Sequence, residues 1–195
     1  MADALDSGSS RCKPVGVQIP PSAFYFDFTM ELKTLIRQLN LKKHPEGGYY
    51  SETYRAKEII NKECLSEKYG TDRVFSTTIY YLLVKDDFSE MHRLKSDEIF
   101  HFYYGDSVEF LLLYPNGKGE KIILGNRIET GILPQLVIPA GVWQGIRIKN
   151  NNYGFALMGT TVSPGFEFQD YEKGNKNKLS EKYPKYKELI SQLTR

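Results

Sequence analysis

Several features that identify a function directly are scarce or missing from this sequence. Only two cysteines occur, Cys12 and Cys64. They match neither a disulfide framework nor a paired Cys-x-x-Cys zinc site, so both are predicted to be free thiols. No apolar run approaches the roughly 20 residues that a membrane-spanning helix needs. The first residues have neither the cationic start nor the apolar core of a secretory signal. These absences favour a cytoplasmic protein with no membrane partner.

An excess of charge of either sign is also missing. The 26 basic residues are almost balanced by 24 acidic ones, which gives a formal net charge of +2. Such a balance offers no electrostatic footprint for nucleic acid, so we expect no nucleic-acid partner. No glycine-rich loop opens a helix and no nucleophile elbow occurs. Nucleotide hydrolysis and serine hydrolase chemistry therefore lack support.

Aromatic residues are abundant by contrast, with 14 tyrosines and 11 phenylalanines among 195 residues. This composition favours strands and an aromatic-lined interior, and the length suits one domain with a full-sized core. Residues 1–22 are rich in Ser, Gly and Pro and are predicted to form a disordered tail. Residues 23–173 are predicted to form the domain, and residues 174–195 a C-terminal helical extension.

One short helix is predicted at each end of the domain. The first is capped by Asp27 or Thr29 and is ended by Pro45 and the glycine pair that starts at Gly47. Its apolar residues recur at i, i+3, i+4 and i+7, and they are Leu32, Leu35, Ile36 and Leu39. The second helix begins near Pro184 and has a single apolar stripe. That stripe consists of Tyr186, Leu189, Ile190 and Leu193.

About eight short strands are predicted between these helices, from apolar and aromatic runs bounded by turn residues. Their ranges are 49–55, 77–84, 98–104, 108–114, 120–124, 136–138, 144–148 and 153–161. Asn116 and Gly117 form a strong two-residue hairpin signal. Residues 56–73 are charged and poor in apolar side chains, and are predicted to be an excursion loop. Many short strands with helices only at the ends predict a β-sandwich or β-barrel.

Two motifs in the centre of the chain resemble the metal-binding signatures of the cupin superfamily, which forms a small jelly-roll barrel. His92, Glu98 and Gly105 are in register with the first motif, and Pro139 and Gly141 with the second. The departures are Leu94 at the second histidine of the first motif, Gln144 at the histidine of the second, and Ile148 at its closing asparagine. The barrel is therefore expected, whereas the usual site of three histidines and one glutamate is incomplete.

The segment 44–55, which reads His-Pro-Glu-Gly-Gly-Tyr-Tyr-Ser-Glu-Thr-Tyr-Arg, resembles the opening signature of one cupin subfamily. That subfamily is catalogued as a domain of unknown function. Further similarities follow in order at 76–83, 92–98, 101–106 and 164–171, so the resemblance covers roughly residues 29–173. It implies an all-β double-stranded β-helix, the cupin jelly-roll barrel, which forms a homodimer and holds a ligand pocket in its mouth. It does not imply a particular reaction.

The positions of His92, Glu98 and Gln144 face one pocket in a cupin barrel. A carboxylate beside an imidazole raises its basicity, as proton abstraction from a carbon acid requires. His92 assisted by Glu98 is therefore the predicted catalytic pair, which resembles the chemistry of metal-free cupin epimerases. The same three residues are also the predicted ligands of a divalent metal. Because Gln is a weak ligand and Leu94 supplies none, a metal-free polar pocket, in which His92 and Glu98 hydrogen-bond each other, is favoured over the metal.

Other residues are expected to bind the ligand. Period-two alternation places Phe100 on the same strand face as Glu98 and His101 on the opposite face. The turn at Gly141 is expected to deliver the next residues to the barrel mouth, and one face of strand 49–55 to line the pocket. The predicted ligand-binding residues are Tyr50, Glu52, Phe100, Trp143 and Gln144.

Three functions remain open at the level of the sequence. The first is binding of a small polar ligand, either sugar-like, a sugar nucleotide or a hydroxy-carboxylate, with epimerase- or isomerase-type proton transfer. The second is a ligand-binding or sensor protein without catalysis. The third is a metal-dependent cupin enzyme with a degenerate site. The cofactor is unknown, and the expected partners are a small-molecule ligand and a second copy of the chain.

Overall fold

The computed structural model describes residues 32–195. The predicted tail of residues 1–22, Cys12 and the proposed helix caps Asp27 and Thr29 lie outside the described residues. Cys64 is a free, exposed thiol, as predicted. None of the helices in the described part of the chain is long and apolar enough to cross a membrane.

The described residues form short strands and a few short helices, which we number in chain order. The strands are β1 (Lys42–Lys43), β2 (Tyr49–Arg55), β3 (Ile59–Ile60), β4 (Arg73–Val74), β5 (Thr77–Val84), β6 (Phe88–Arg93), β7 (Asp97–Gly105), β8 (Val108–Leu113), β9 (Gly119–Leu124), β10 (Gln135–Ile138), β11 (Trp143–Ile148), β12 (Phe155–Ser163) and β13 (Glu172–Lys173). The α-helices are α1 (Leu32–Gln38), α2 (Lys176–Lys182) and α3 (Lys187–Gln192). Single turns of 3₁₀-helix occur at Lys62–Cys64, Ile128–Thr130, Phe168–Asp170 and Pro184–Tyr186.

Most strands belong to two antiparallel sheets. One has six strands in the order β1-β2-β5-β12-β7-β10, and the other has five in the order β13-β6-β11-β8-β9. Apolar side chains from both sheets form one buried cluster, in which Phe100 of the first sheet stacks edge-on against Phe110 of the second. The core therefore lies between the sheets, and the all-β jelly roll predicted from the sequence is confirmed.

Helices cover parts of the two outer faces. Leu35 of α1 packs with Leu82 and Phe155 of the six-stranded sheet. Leu179 of α2 and Ile190 of α3 pack with apolar residues of β6 and β8. The predicted C-terminal extension is thus helical, but the sequence pattern did not reveal α2 as a separate helix.

Most strand predictions agree with the structure, and the ranges 49–55 and 77–84 coincide with β2 and β5. The Asn-Gly hairpin is also confirmed, since β8 pairs with β9 and Gly117 has a φ of 86°. Two predictions were wrong. The first helix ends at Gln38, well before Pro45, and Asn40 follows with a left-handed φ of 55°.

The second error was the omission of β6, the strand that carries His92. Ser89, Glu90 and His92 are all buried on this strand, so its polar residues do not alternate with apolar ones. A strand that buries polar side chains gives no period-two hydrophobic signal. The predicted excursion loop 56–73 is likewise not wholly irregular, because it contains β3 and leads into β4, with which β3 pairs.

Candidate functional site

A cavity of about 270 Å³ opens between the two sheets. Strands β2, β5, β7 and β12 contribute one wall and β6 the facing wall. We call the deep part of the cavity the inner end. Its polar residues are His44, Glu46, Ser89, His92, Glu98 and Thr160. The more exposed charged residues, which we call the rim, are Lys42, Glu52, Arg55 and Glu167. The cavity thus runs from an exposed charged opening to a buried acidic end.

His92 is held in one tautomer at the inner end. Its Nδ1 lies 2.7 Å from the backbone carbonyl oxygen of Glu90. Because a carbonyl oxygen only accepts, Nδ1 must carry the proton, which leaves the lone pair on Nε2. The ring stacks on Tyr171 with 5.4 Å between centroids. Burial lowers the pKa of His92, so the imidazole is neutral at neutral pH.

Glu46 is the carboxyl group that faces this imidazole. Its Oε2 lies 3.5 Å from Nε2 of His92 and accepts a hydrogen bond from the Ser89 hydroxyl at 3.3 Å. Burial raises the pKa of Glu46 to about 8, against a smaller lowering by the Ser89 hydrogen bond. At neutral pH Glu46 is therefore mainly a neutral acid, able to share a proton with His92.

His44 completes this part of the inner end. Its Nδ1 accepts a hydrogen bond from the Glu46 backbone N–H at 3.2 Å and lies 3.8 Å from the Glu46 carboxyl. The ring packs edge-on against Tyr50 with 4.7 Å between centroids. Burial lowers the pKa of His44 to about 4, with a further lowering from His92, so this imidazole is also neutral.

Glu98 lines the inner end from β7. Its Oε2 accepts a hydrogen bond of 2.5 Å from Nε2 of Gln144. Burial raises the pKa of Glu98 to about 7, and Glu46 raises it further, against a lowering by the neighbouring His92 and by hydrogen bonds from Gln144 and Thr160. The direct hydrogen bond that the sequence suggested between His92 and Glu98 is not formed between these described residues. His92 faces Glu46 instead, because the segment before β2 passes beside β6.

Two predicted ligand-binding residues, Trp143 and Gln144, lie outside the cavity lining. Gln144 is fully buried and supports Glu98, so it acts as a positioning residue. Trp143 is the next residue on β11, and successive side chains of a strand point to opposite faces. Its ring packs with the C-terminal helices and stacks 4.5 Å from the Arg93 guanidinium. The structure therefore does not place Trp143 at the cavity, where the sequence predicted it.

The other predicted pocket residues do line the cavity, namely Tyr50, Glu52, His92, Glu98 and Phe100. The register of β2 shifts between Glu52 and Tyr54, so period-two alternation fails at that bulge. Arg55 consequently lines the cavity, whereas Tyr54 is 55% exposed and does not. The expectation that Tyr54 shares the face of Tyr50 was wrong for this reason.

The donor set does not fit the metal that cupin barrels commonly hold. Leu94 lines the cavity where the superfamily has a histidine, and it offers no ligand atom. Gln144 presents its amide nitrogen, a donor, to Glu98, while its Oε1 is buried without a partner among residues 32–195. Within those residues no group of three or more His, Cys, Asp and Glu side chains is arranged to hold a metal ion.

A covering segment follows β12 and closes one side of the cavity. Phe166 and Phe168 line the opening, and Glu167 accepts a hydrogen bond from Arg55 at 2.9 Å. The segment is anchored by Asp170, which is buried and accepts hydrogen bonds of 2.9 and 2.6 Å from Arg73. The rim is thus held by charge pairs and aromatic packing rather than by a loose loop.

Sequence reasoning missed the two residues that lie beside His92 at the inner end, His44 and Glu46. It interpreted the segment 44–48 only as a turn into the strand, which is correct for Gly47 and Gly48, with φ of 115° and 71°. The residue spacing gave no metal-ligand signal. The available signal was the resemblance of this segment to a subfamily signature, since the turn brings its polar residues back against β6.

Comparison with known proteins agrees with this architecture. The family model described as "Cupin superfamily (DUF985)" matches residues 33–174. An uncharacterised protein of Saccharomyces cerevisiae is 32% identical over 148 residues, which is 72% of this chain and 73% of the yeast protein. A hypothetical protein from Leishmania major has a TM-score of 0.74 and 31% identity, over 84% of this chain and 98% of its own. A Shewanella oneidensis protein has a TM-score of 0.74 and 32% identity, over 84% and 97% of the two chains.

Proposed function

Because the chain belongs to the DUF985 family of the cupin superfamily, we propose that it binds a small polar organic molecule in the barrel cavity and transfers a proton on it. The reaction class is that of an isomerase or epimerase. His92 is the base, Glu46 is its proton-sharing partner, and Glu98 binds the polar group of the ligand. The tautomer of His92 carries this proposal, because the Nδ1 hydrogen bond to Glu90 leaves a basic Nε2 at the inner end.

The proposed step needs no group from outside the cavity other than the ligand. The C–H bond next to an electron-withdrawing group of the ligand breaks, and the proton bonds to Nε2 of His92. The electron pair moves onto the withdrawing group, and a proton returns to the same carbon on its other face or to a neighbouring carbon. Glu46 is mainly protonated at neutral pH because burial raises its pKa to about 8, so it can donate the returning proton to carbon. Its carboxylate, 3.5 Å from Nε2, then takes the proton from His92 and restores both groups. A tuned pair of this kind suits acid–base catalysis near neutral pH.

The experiment is hydrogen exchange into ligands that the protein binds. Sugars, sugar nucleotides and hydroxy acids, the classes expected from the sequence, would be screened by ligand-observed NMR together with simple ketones and amines. Each molecule that binds would then be incubated with the protein in D₂O, and deuterium incorporation at carbon measured. We expect incorporation with the wild type and a loss of at least ~100-fold with His92→Gln.

His101→Gln is the matched control, because His101 lies on β7 but does not line the cavity. It should exchange deuterium at the wild-type rate. Exchange that persists in a folded His92→Gln protein would rule out His92 as the base. Binding of a ligand without exchange would favour the second function, a ligand-binding or sensor protein.

The second function has one structural observation in its favour. His92 is only 3% exposed, so a ligand could fill the cavity without reaching Nε2.

The homodimer implied by the resemblance also stays a prediction. Sedimentation velocity of the full chain tests it directly, since a dimer has twice the monomer mass of 22.5 kDa.

A further inference from the structure

The inner end of the cavity holds two carboxyl groups, and the described residues provide no cation beside them. No Lys or Arg in the described part of the chain lies within 4.0 Å of the Glu46 or Glu98 carboxyl oxygens. The ionisable nitrogen atoms within 4.0 Å of the Glu46 carboxyl belong to His44 and His92, whose pKa values are lowered by burial. Arg195 donates to the backbone carbonyl of Glu46 and not to its carboxyl group. The other acceptor oxygen of Glu46, Oε1, has no hydrogen-bond partner among residues 32–195, although the residue is only 9% exposed.

Glu90 is a neighbouring buried glutamate whose carboxyl group is paired with two cations. Glu90 lies on β6 between Ser89 and Met91, and is 4% exposed. Lys173 lies 2.6 Å from its Oε2 and Arg195 lies 2.8 Å from its Oε1. Glu90 does not line the cavity, whereas Glu46 and Glu98 do. Residues 32–195 therefore supply cations to Glu90, outside the cavity, and none to the carboxyl groups of the two acids at its inner end.

The cations of the rim are already engaged. Arg55 donates to Glu52 at 3.1 and 2.9 Å and to Glu167 at 2.9 Å. Lys42 places its ammonium 4.8 Å from the centroid of the Tyr50 ring. An anionic ligand would thus find two acids at the inner end and a neutralised guanidinium at the rim. Lys42 also shows that the face of Tyr50 attracts an ammonium group.

The walls between the rim and the inner end are aromatic and aliphatic. Tyr50, Tyr81 and Phe100 present rings to the cavity, and Ile79, Leu94 and Val162 present alkyl groups. Aromatic faces stabilise a desolvated cation, and aliphatic groups accept the carbon skeleton that bears it. These walls and the unbalanced acids together favour a cation with an apolar body.

We propose that the cavity binds an organic amine in its protonated form, with the ammonium group between Glu46 and Glu98 and the carbon skeleton against the apolar walls. This inference rests on the proposed function, since it names the class of ligand for the same cavity. An ammonium nitrogen cannot take up the electron pair of the proposed proton transfer, so an amine that reacts must also bear a carbonyl group beside the C–H bond that faces Nε2 of His92, 3.5 Å from Glu46.

Binding of such a ligand changes the ionisation of the protein. Burial raises the pKa of Glu46 to about 8 and that of Glu98 to about 7, so at pH 7 Glu46 is mainly protonated and Glu98 is about half protonated in the free protein. The positive charge of the amine favours the carboxylate forms. The displaced proton leaves to the buffer, and the ammonium takes its place as the balancing charge. An uncharged or anionic ligand has no such effect.

The test uses matched sets of probes on the full chain. Each set has one carbon skeleton with three end groups: benzylamine, benzyl alcohol and benzoate, and isobutylamine, isobutanol and isobutyrate. Isothermal titration calorimetry at pH 7 would give the Kd of each probe. We expect an amine to bind at least ~10-fold more tightly than the alcohol of its set, and the carboxylate not to bind. Titration in phosphate and in Tris buffer should show release of about one proton per bound amine and none for the alcohol.

Glu46→Gln and Glu98→Gln keep the shape of each side chain and remove its charge. We expect each to weaken amine binding by about tenfold and to change alcohol binding by less than about twofold. Glu129→Gln is the matched control, because it changes net charge equally at an exposed position in a 3₁₀ turn away from the cavity. If a glutamine variant does not fold, the proton release of the wild type still decides the question.

The outcomes separate this inference from the proposed function. Tighter binding of the alcohol or the carboxylate, or amine binding without proton release, overturns the amine assignment and leaves the cavity as a ligand site. Failure of all six probes to bind overturns the amine assignment and also counts against small-molecule binding. Amine binding with proton release that both glutamine variants reduce supports the inference.

Discussion

The imidazole Nε2 of His92 lies 3.5 Å from the carboxyl Oε2 of Glu46, and both side chains are buried at the inner end of the cavity. A turn at Gly47 and Gly48 brings Glu46 back against β6, and the backbone N–H of Glu90 donates to the carbonyl of Glu46. Burial raises the pKa of the acid and lowers that of the base, so the uncharged pair is the stable form. Stability and protonation should therefore depend on pH in a defined way.

The stability of the protein should fall as pH rises from about 5 to about 8. Glu46 and Glu98 have folded-state pKa values of about 8 and about 7, above the ordinary value of 4.5. A raised pKa stabilises the fold fully below the unfolded value, and this contribution is lost as pH rises through the folded value. Urea unfolding at pH 5, 6.5 and 8 measures it. Glu46→Gln should remove on the order of 2 kcal/mol of this pH dependence.

The matched control for that measurement is Glu129→Gln, which removes an exposed carboxyl and should leave the slope unchanged. A stability that rises from pH 6.5 to 8, with the same profile in both variants, would show that the two buried acids are ionised in the free protein. That result would also remove the basis for proton sharing with His92.

His44 and His92 should both be neutral at pH 7. Burial lowers the pKa of His44 to about 4 and lowers that of His92 as well. Long-range ¹H–¹⁵N spectra of ¹⁵N-labelled protein report the protonation state and tautomer of each ring. We expect the His92 spectrum of a neutral imidazole with its proton on Nδ1, because that atom donates to Glu90. His101→Gln assigns the third set of signals, and a protonated His92 at pH 7 would contradict the proposed base.

Much of the barrel was predictable because its strands bury one face and expose turn residues at their ends. The apolar runs of β5 and β8 and the Asn-Gly signal before β9 are local features, and each predicted its element correctly. β6 was not predictable by the same rule, since Ser89, Glu90 and His92 are buried polar residues. Their burial depends on partners distant in sequence, such as Glu46 and Arg195.

In the candidate site too, local sequence features were predictable and contacts between residues distant in sequence were not. Motif register placed His92 and Glu98 in the cavity, and strand alternation added Phe100. The register could not show that Glu46 lies between His92 and His44, because that contact depends on a turn that brings two segments together. The bulge in β2 was also not predictable, because a bulge shifts the alternation of side chains by one residue without a clear sequence signal. As a result Arg55, and not Tyr54, lines the cavity.

Loss of Asp170 should destabilise the protein and loosen the covering segment. Arg73 and Asp170 are 1% and 4% exposed, and Arg73 also lies 5.3 Å from the Tyr69 ring centroid. Asp170→Asn would leave a buried guanidinium without its counter-charge, at a cost of about 3–5 kcal/mol in the free energy of unfolding. Glu172 lies two residues after Asp170 and forms an exposed ion pair with Arg93. Glu172→Gln removes that pair and should cost less than about 1 kcal/mol in the free energy of unfolding. Urea unfolding of both variants at one pH compares them, and equal costs would show that the buried pair is not a special anchor.

The metal content of the purified protein should be well below one equivalent, and two substitutions should raise it. Leu94 and Gln144 occupy the positions where cupin barrels have histidines, and neither presents a ligand atom to the cavity. The double variant Leu94→His with Gln144→His would add two imidazoles to His92 and Glu98, a donor set suited to a divalent transition metal. Elemental mass spectrometry of both proteins, prepared without added ions or chelator, makes the comparison. Near one equivalent in the wild type would instead support the metal-dependent alternative, and His92→Gln should then remove that metal.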